Sequence, residues 1–293
     1  MKLPGFEYAC PATLAEALAL LASGGGTAKP IAGGQSLLPT MAYRLAAPAL
    51  LVDLRKVPDL NRIAIGDDGV RLGATVRWRD IEDDARLSEA HPLLVAAIAH
   101  VAHYQIRNRG TVGGSLAHAD PAAELPGIAV SCDAELTLAG PAGARVVPAS
   151  KFFLGPLSTA LADDELVVEV RLPPWPAKRR WGFQEFARRR NDFALAGIAV
   201  FYDLDHAGCA TNAHVGVFGA CNRAQRLAQA EAALEGRIID AAVAQSAGRA
   251  AAAAVDPPED LHASAAYRRA LVATLVERAL KQASTEATQD KNE

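Results

Sequence analysis

Two glycine-centred segments carry the most chemistry in this sequence: Ala32-Gly33-Gly34-Gln35-Ser36 and Thr111-Val112-Gly113-Gly114-Ser115. Each has an apolar lead-in, a glycine pair and a nearby serine. A glycine pair lets main-chain N–H groups approach phosphate oxygens without interference from Cβ, and a following hydroxyl adds a donor. The repetition of this pattern points to two backbone cradles gripping one phosphate-rich cofactor from opposite sides. Neither segment is a standard nucleotide signature, since the chain has no GxxxxGK[ST] and no GxGxxG opening a helix.

The second segment runs on into Ser115, His118, Asp120, Pro121 and Glu124, concentrating polar groups in a stretch otherwise made of Ala, Leu and Pro. Asp120 or Glu124 would hold ribose or ribityl hydroxyls, the task a carboxylate performs in dinucleotide sites. His118 alone reads as a structural or solvent-bound residue. The third candidate is Phe186-Ala187-Arg188-Arg189-Arg190-Asn191-Asp192-Phe193-Ala194. Its bland reading is a solvated hairpin tip; its functional reading places Phe193 against a flat conjugated ring such as a flavin, with the arginines pairing with acidic groups on a partner.

Other chemistries lack their residues. There is no HExxH and no GxSxG, so metal hydrolysis and serine esterase chemistry are unsupported. His100 and His103 are correctly spaced to share a metal on a helix, but no cysteine or carboxylate nearby completes a site. The four cysteines, Cys10, Cys132, Cys209 and Cys221, contain no CxxC pair, which argues against an iron–sulfur cluster or structural zinc in this chain.

The 293 residues suggest about two domains, 51% of them are hydrophobic, and the net charge of −3 gives no pull toward nucleic acid or anionic membrane. The segment MKLPGFEYACP lacks the apolar core of a signal peptide, and no uninterrupted apolar run reaches membrane-spanning length. With scattered thiols, the expected location is the cytoplasm.

The elements that must position these residues are legible as patterns. Thr13 to Leu21 has helical spacing, with Thr13 as N-cap and Ser23-Gly24-Gly25-Gly26 as the stop. Lys29-Pro30-Ile31-Ala32 and Leu50-Leu51-Val52-Asp53-Leu54 read as short strands, the first leading straight into a glycine pair. Asn61 to Gly66 and Val70 to Thr75 alternate around Asp67-Asp68-Gly69, a hairpin signal. Pro92 to His103 is apolar almost throughout and reads as a buried helix preceding the second glycine segment. Leu125 to Val130 is too short to separate helix from strand, whereas Ala134 to Ala139 and Leu166 to Leu172 read as strands. Pro173-Pro174-Trp175-Pro176 is the best domain boundary. Beyond it Gly182 to Ala187, Ala196 to Leu204 and Ala213 to Phe218 predict a three-stranded antiparallel sheet, packed on alanine-rich helices from Arg226 onward. The polar stretch from Ser284 to Glu293 is expected to fray.

Together, AGGQSLLPTMAYRLAAP, IRNRGTVGGSLAHADPAAELP and RRRNDFALAGIAV, in this order and followed by HASAAYRRALVATLVERAL, resemble the FAD-binding medium subunit of the molybdenum hydroxylases, the family of xanthine dehydrogenases and aerobic carbon monoxide dehydrogenases. The resemblance covers essentially the whole chain. It implies an α+β fold: a two-part FAD-binding domain of the vanillyl-alcohol-oxidase (PCMH) type over residues 1–174, with subdomains of about 1–57 and 58–174, then a C-terminal domain over 175–293. It also implies that Lys29, Pro30, Ile31, Ala32, Gly33, Gly34, Gln35, Ser36 and Leu37 wrap the FAD pyrophosphate and adjoining sugar. Thr111, Val112, Gly113, Gly114 and Ser115 would hold it from the other side. Asp120, Glu124, Leu161 and Gln184 match further cofactor-contacting positions, and Phe193 the position that approaches the isoalloxazine.

The implied activity is electron transfer, with no catalytic residue and no metal ligand in this chain. A large subunit would carry the molybdenum cofactor, a small subunit two [2Fe–2S] clusters, and the assembly would be a dimer of heterotrimers. The final acceptor stays open among NAD, a quinone, a cytochrome and oxygen. Gln35 stands where relatives carry histidine or asparagine, and Gln184 where animal xanthine dehydrogenases carry lysine, so acceptor preference does not transfer. Two rival readings use the same residues: a self-contained flavin oxidoreductase, and a cofactor-free assembly subunit.

Overall fold

A computed structural model of the chain describes residues 2–289, arranged as three larger sheets, a two-stranded pair of Phe153–Gly155 with Ser158–Thr159, and the helices between and around them. The first sheet is parallel, in the order Glu7–Ala9, Leu50–Asp53, Ala28–Ile31. The helix Leu14–Ser23 makes one crossover. It begins at a reciprocal cap in which the Thr13 hydroxyl accepts from Glu16 N–H and the Glu16 carboxylate from Thr13 N–H, each at 3.2 Å. It stops where Gly25 and Gly26 turn to positive φ. Because the strands are parallel, Ala9, Ile31 and Asp53 end on one edge, and the first glycine loop leaves from that edge.

The second sheet is antiparallel, in the order Ile63–Gly66, Gly69–Gly73, Leu166–Leu172, Glu135–Gly140, Gly143–Pro148. Its first hairpin pairs Gly66 with Gly69 around Asp67-Asp68, with Gly69 at φ +109°, as the Asp-Gly signal predicts. The third sheet follows the proline-rich segment, in the order Arg180–Ala187, Ala194–Leu204, Ala210–Phe218, Gln225–Arg226. The three long strands are the expected ones; the two-residue fourth strand is an addition that no alternation could announce. Helices Ala228–Leu234, Ala241–Ala254 and Ala265–Gln289 cover one face. The terminal helix is continuous through Ser284 to Gln289, and 290–293, the rest of the stretch expected to fray, lie outside the described residues.

Between the second and third sheets lies a helical layer comprising Pro92–Ile98, Val112–His118 and Glu124–Ser131. All eight residues of Glu124–Ser131 are buried, so the apolar run at Leu125 to Val130 is a helix enclosed on every side rather than an amphipathic one. The strand Ala194–Leu204 is enclosed likewise. Ala196, Ile198, Val200 and Tyr202 face the C-terminal helices, while Ala199 and Phe201 join the core that includes Leu72, Leu94 and Leu125. One core therefore runs through the second sheet, the helical layer and the inner face of the third sheet.

The closest packing in that core surrounds Phe218. Its ring occupies the space a Cβ would need on Gly197, its cross-strand partner, and lies 2.6 Å from where a Cβ would sit on Gly127 of the overlying helix. Trp175, in the proline-rich linker, packs against His91 with tilted rings 4.5 Å apart and meets Phe201 edge-on at 5.3 Å.

The expected single helix from Pro92 to His103 is interrupted. It ends at Ile98, and a turn follows with Ala102 at φ +39°. Arg107 Nη1 donates to the Val101 and Ala102 carbonyls at 3.0 and 2.8 Å, and its Nε lies 2.9 Å from Glu82. That cation, distant in helical register, breaks the helix and starts a second short one, Tyr104–Arg107.

Phe218 is held on both sides and cannot swing away from a new methyl group. Gly197→Ala is therefore expected to cost about 1–3 kcal/mol of stability by overpacking, read from the shift of the urea unfolding midpoint. An unchanged midpoint would show that the seam is looser than described.

Candidate functional site

The first glycine loop starts beside Asp53, whose carboxylate is buried and fixed by Tyr8 Oη at 2.7 Å and Arg55 N–H at 2.9 Å. This anchors the edge of the parallel sheet, the place where open α/β sheets bind ligands. Gly34 has φ +72°, and Gln35 Nε2 donates back to Gly33 O at 3.0 Å, closing the turn. Among the described residues, the N–H groups of Gly33, Gly34, Gln35 and Ser36 donate to no protein acceptor. Four consecutive uncommitted amides in a turn constitute an anion-binding concavity.

The second glycine loop is built differently. Thr111 is the N-cap of Val112–His118, its Oγ1 accepting from Gly114 N–H at 3.2 Å. Val112 N–H donates to Val76 O at 2.9 Å and Gly113 N–H to Ala74 O at 2.8 Å. Gly113 is a glycine because Ala74 leaves no room for a Cβ, whose nearest neighbour would be 2.5 Å away. Gly114 differs, since a Cβ there would meet only the Thr111 hydroxyl, at 2.8 Å, and otherwise face open space. The two pairs thus share a pattern and divide the work. The first offers free donors; the second spends its amides on the protein and presents Gly114 and the unbonded Ser115 hydroxyl as a bare wall.

The structure brings these loops into contact. A Cβ on Gly33 would collide with the Arg109 carbonyl and Gly110, the residues leading into Thr111. Lys29 Nζ lies 3.0 Å from Asp163, tying the strand before the first loop to the segment that carries Leu161. Pro30, Ile31 and Ala32 enter this loop, and Leu37 begins the helix Leu37–Ala42 that leaves it. Asp120 and Glu124 follow directly from the second loop, the Asp120 carboxylate accepting from Ala122 N–H at 2.9 Å.

The Phe193 tip belongs to the third sheet yet touches the same region. Asn191 Nδ2 donates to the Ala99 and His100 carbonyls at 3.4 and 3.3 Å, and Gly219, packed against Ala194, donates its N–H to Pro121 O at 2.7 Å. Phe193 itself is 70% exposed, an aromatic face without a partner. Gln184 is not brought in. Its Nε2 donates to Gln282 on the terminal helix at 3.0 Å, so its side chain lies on the sheet face opposite Phe183 and Glu185. On the inner face, Phe183 packs against His100 at 5.1 Å, and Glu185 Oε2 lies 3.9 Å from His100 Nδ1. Glu185 escaped the sequence analysis; its only signal there is a charge breaking an apolar strand.

Burial, reinforced by the Asp120 charge, pushes the Glu124 carboxyl up to about 7; burial, reinforced by Glu124, pushes Glu185 up to about 9. Burial, with Arg190 nearby, lowers His100. No group of three His, Cys, Asp or Glu among the described residues is arranged to hold a metal ion, and no helix there is long and apolar enough to cross a membrane.

The donor set suits FAD: free amides for a diphosphate, a glycine wall that permits close approach, carboxyls for sugar hydroxyls, and an exposed aromatic ring. The comparisons with known proteins agree. Residues 4–175 match the FAD binding domain in molybdopterin dehydrogenase, and residues 181–283 match the CO dehydrogenase flavoprotein C-terminal domain. This chain belongs to the FAD-binding medium subunits of the molybdenum hydroxylases. It is 40% identical over 283 residues to the 6-hydroxypseudooxynicotine dehydrogenase complex subunit alpha of Paenarthrobacter nicotinovorans, covering 97% of this chain and 96% of that one. It is also 40% identical to the nicotine 6-hydroxylase medium subunit of the same organism, covering 97% and 99%. The solved carbon monoxide dehydrogenase of Hydrogenophaga pseudoflava, in a form lacking the Mo-pyranopterin moiety, superimposes with a TM-score of 0.94 at 38% identity, over 97% of this chain and 99% of that one. The chain is thus the flavoprotein component of an oxidoreductase family.

The raised carboxyls fix a pH dependence for this medium subunit. Between the unfolded value of 4.5 and the folded values of about 7 and about 9, the folded chain binds more protons than the unfolded one, so stability falls as pH rises. The depressed histidines His91, His100 and His214 act in the opposite direction, but only below about pH 6.5. From pH 7 to 9 the urea midpoint should therefore drop, and Glu185→Gln should flatten the drop. A midpoint that rises across this range would contradict the assignment.

Proposed function

We propose that this medium subunit binds FAD between its two glycine loops and relays electrons for a molybdenum hydroxylase. The single observation that carries the reading is the row of free amides at Gly33, Gly34, Gln35 and Ser36, held against the backbone that leads into the second loop. These amides bind the diphosphate, with Lys29, Pro30, Ile31, Ala32 and Leu37 shaping the entry and exit of the turn. Thr111, Val112, Gly113, Gly114 and Ser115 form the facing wall, where Gly114 admits the phosphates and Ser115 adds a hydroxyl. Asp120 and Glu124 hold sugar hydroxyls, Leu161 packs beside them, and Phe193 covers the flat end of the cofactor. Gln184 acts from behind the sheet, by fixing the strand that carries Glu185.

FAD, when bound, supplies a centre that accepts electrons singly and releases them in pairs. The protein's part is binding, orientation and exclusion of water, which is why it needs no nucleophile or metal. Electrons come from two [2Fe–2S] clusters of a small subunit and leave to an external acceptor, while a molybdenum-bearing large subunit oxidises the organic substrate with water as oxygen source. The three chains form a cytoplasmic dimer of heterotrimers. The FAD-binding domain occupies 1–174, in parts of about 1–57 and 58–174, and the C-terminal domain 175–293.

Gly114→Val fills the open face of the second loop, and FAD content of the purified full chain should fall about tenfold or more. Cys209→Ser, remote from both loops, should leave it unchanged. Visible flavin absorbance after gel filtration is the readout. Equal content in the two variants would sink the cradle assignment, and a wild-type chain that stays colourless with added FAD would sink the cofactor. A yellow chain that oxidises substrates without molybdenum and iron–sulfur subunits would replace the relay with a self-contained flavin oxidoreductase.

A further inference from the structure

Glu185, Gly197 and Phe218 form one row across the third sheet, paired strand to strand, so their side chains share the inner face. Phe218 meets Gly127, one helical turn after Glu124. The N-terminal turn of Glu124–Ser131 is thereby carried toward the Glu185 strand, and the Glu185 carboxyl feels the Glu124 charge across the seam. The Glu185 side chain is only 3% exposed, and its Oε2 has no hydrogen-bond partner.

Among the described residues neither glutamate is ion-paired with a lysine or arginine. The helix Pro92–Ile98 and its following turn bring only His100, which burial and Arg190 keep neutral near pH 7. The adjacent strand presents Gly197. The terminal helix presents Gln282 to the outer face and spends Arg268 on the Leu195 and Gly219 carbonyls and on Asp260. Asp120, on the remaining side, adds negative charge.

We propose that Glu124 and Glu185 form an acid–carboxylate pair sharing one proton across the domain seam, and that the pair takes up a second proton when bound FAD is reduced. Two buried carboxyls without a counter-cation do not both ionise. Between about pH 7 and about pH 9 Glu185 holds the proton and Glu124 carries the charge, in keeping with their raised values of about 9 and about 7. The coupling rests on the FAD reading of Glu124 given above. Reduction by two electrons from the iron–sulfur clusters, with one proton from solvent, leaves one added negative charge on the cofactor. Glu124 then accepts a second proton from solvent and becomes a neutral acid. The electrons stay on the cofactor; only the proton moves to the pair. By linkage, a site that binds a proton on reduction favours the reduced form more at low pH.

The test is a carbon-13 NMR titration of the full chain with labelled glutamate carboxyls, without FAD, with FAD, and with FAD reduced by dithionite. In the FAD-free chain two carboxyls should titrate far above the ordinary range, the upper disappearing in Glu185→Gln and the lower in Glu124→Gln. All carboxyls titrating in the ordinary range would overturn the pair. On reduction of the loaded chain, the lower titration should move up by about one pH unit, a tenfold gain in proton affinity. A titration unmoved by reduction would overturn the coupling. Failure of the wild type to take up FAD would overturn the coupling together with the cofactor reading, while the FAD-free titration still decides the pair. Circular dichroism at each pH identifies a variant that has not folded, and the other single variant then supplies the assignment.

Discussion

The placement of Phe218 against two glycines is the constraint on which the rest of the structure depends. Its ring fills the volume denied to side chains at Gly197 below and Gly127 above, and it stacks on Phe183 at 5.9 Å. The same helix crosses Gly216, where a Cβ would run into Ser131. A buried helix is therefore laid flat on the C-terminal sheet with almost no clearance, and interiors packed this closely do not deform continuously. The halves on either side are distinct in sequence but share one core. The inner face of the C-terminal sheet, Glu185 included, is registered on the N-terminal half by that contact.

The glycine loops show how one sequence pattern serves two physical ends. In the first, the chain leaves a parallel strand and turns through Gly34 at positive φ before any helix begins, so its amides stay uncommitted. In the second, the glycines sit inside a capped helical turn whose outward amides are taken by Ala74 and Val76. Gly113 exists for packing and Gly114 for clearance. A symmetric grip would need free donors on both sides. The observed arrangement needs them on one side only, with a close, neutral wall on the other, and the contact of Gly33 with Arg109 and Gly110 fixes the relation between the two.

Much of this was legible from residues alone, wherever the cause was local. Thr13 with Glu16 announces a helix start, and Asp68-Gly69 a hairpin, because the partners lie within a few positions. The glycine pairs and the Phe193 segment were also visible. What stayed hidden depends on distant groups. The helix from Pro92 is cut short by Arg107 and Glu82, which no periodicity reveals. Leu125 to Val130 gives no period because all its faces are buried. Strand parity turns Gln184 toward the terminal helix and Glu185 toward the inner face, and that parity is set by the Gln282 contact and the sheet pairing.

The seam also bears on why this flavoprotein subunit keeps buried acids at all. Replacing a buried ionisable pair with apolar residues is often neutral or stabilising, so stability alone does not account for Glu124 and Glu185. Glu124 sits at a helix N-terminus, where the helix dipole offsets part of the cost of its charge. Glu185 has no such support, being mid-strand and opposite a glycine. The two sites thus differ by construction, one suited to a charge and the other to a proton. In the proposed pair, negative charge arriving beside Glu124 is offset by a proton taken up at Glu124 itself, because Glu185 across the seam already holds one. The glutamates belong to different halves, so the compensation exists only when the seam is closed, and the Phe218 contact that orders the fold also assembles its proton site.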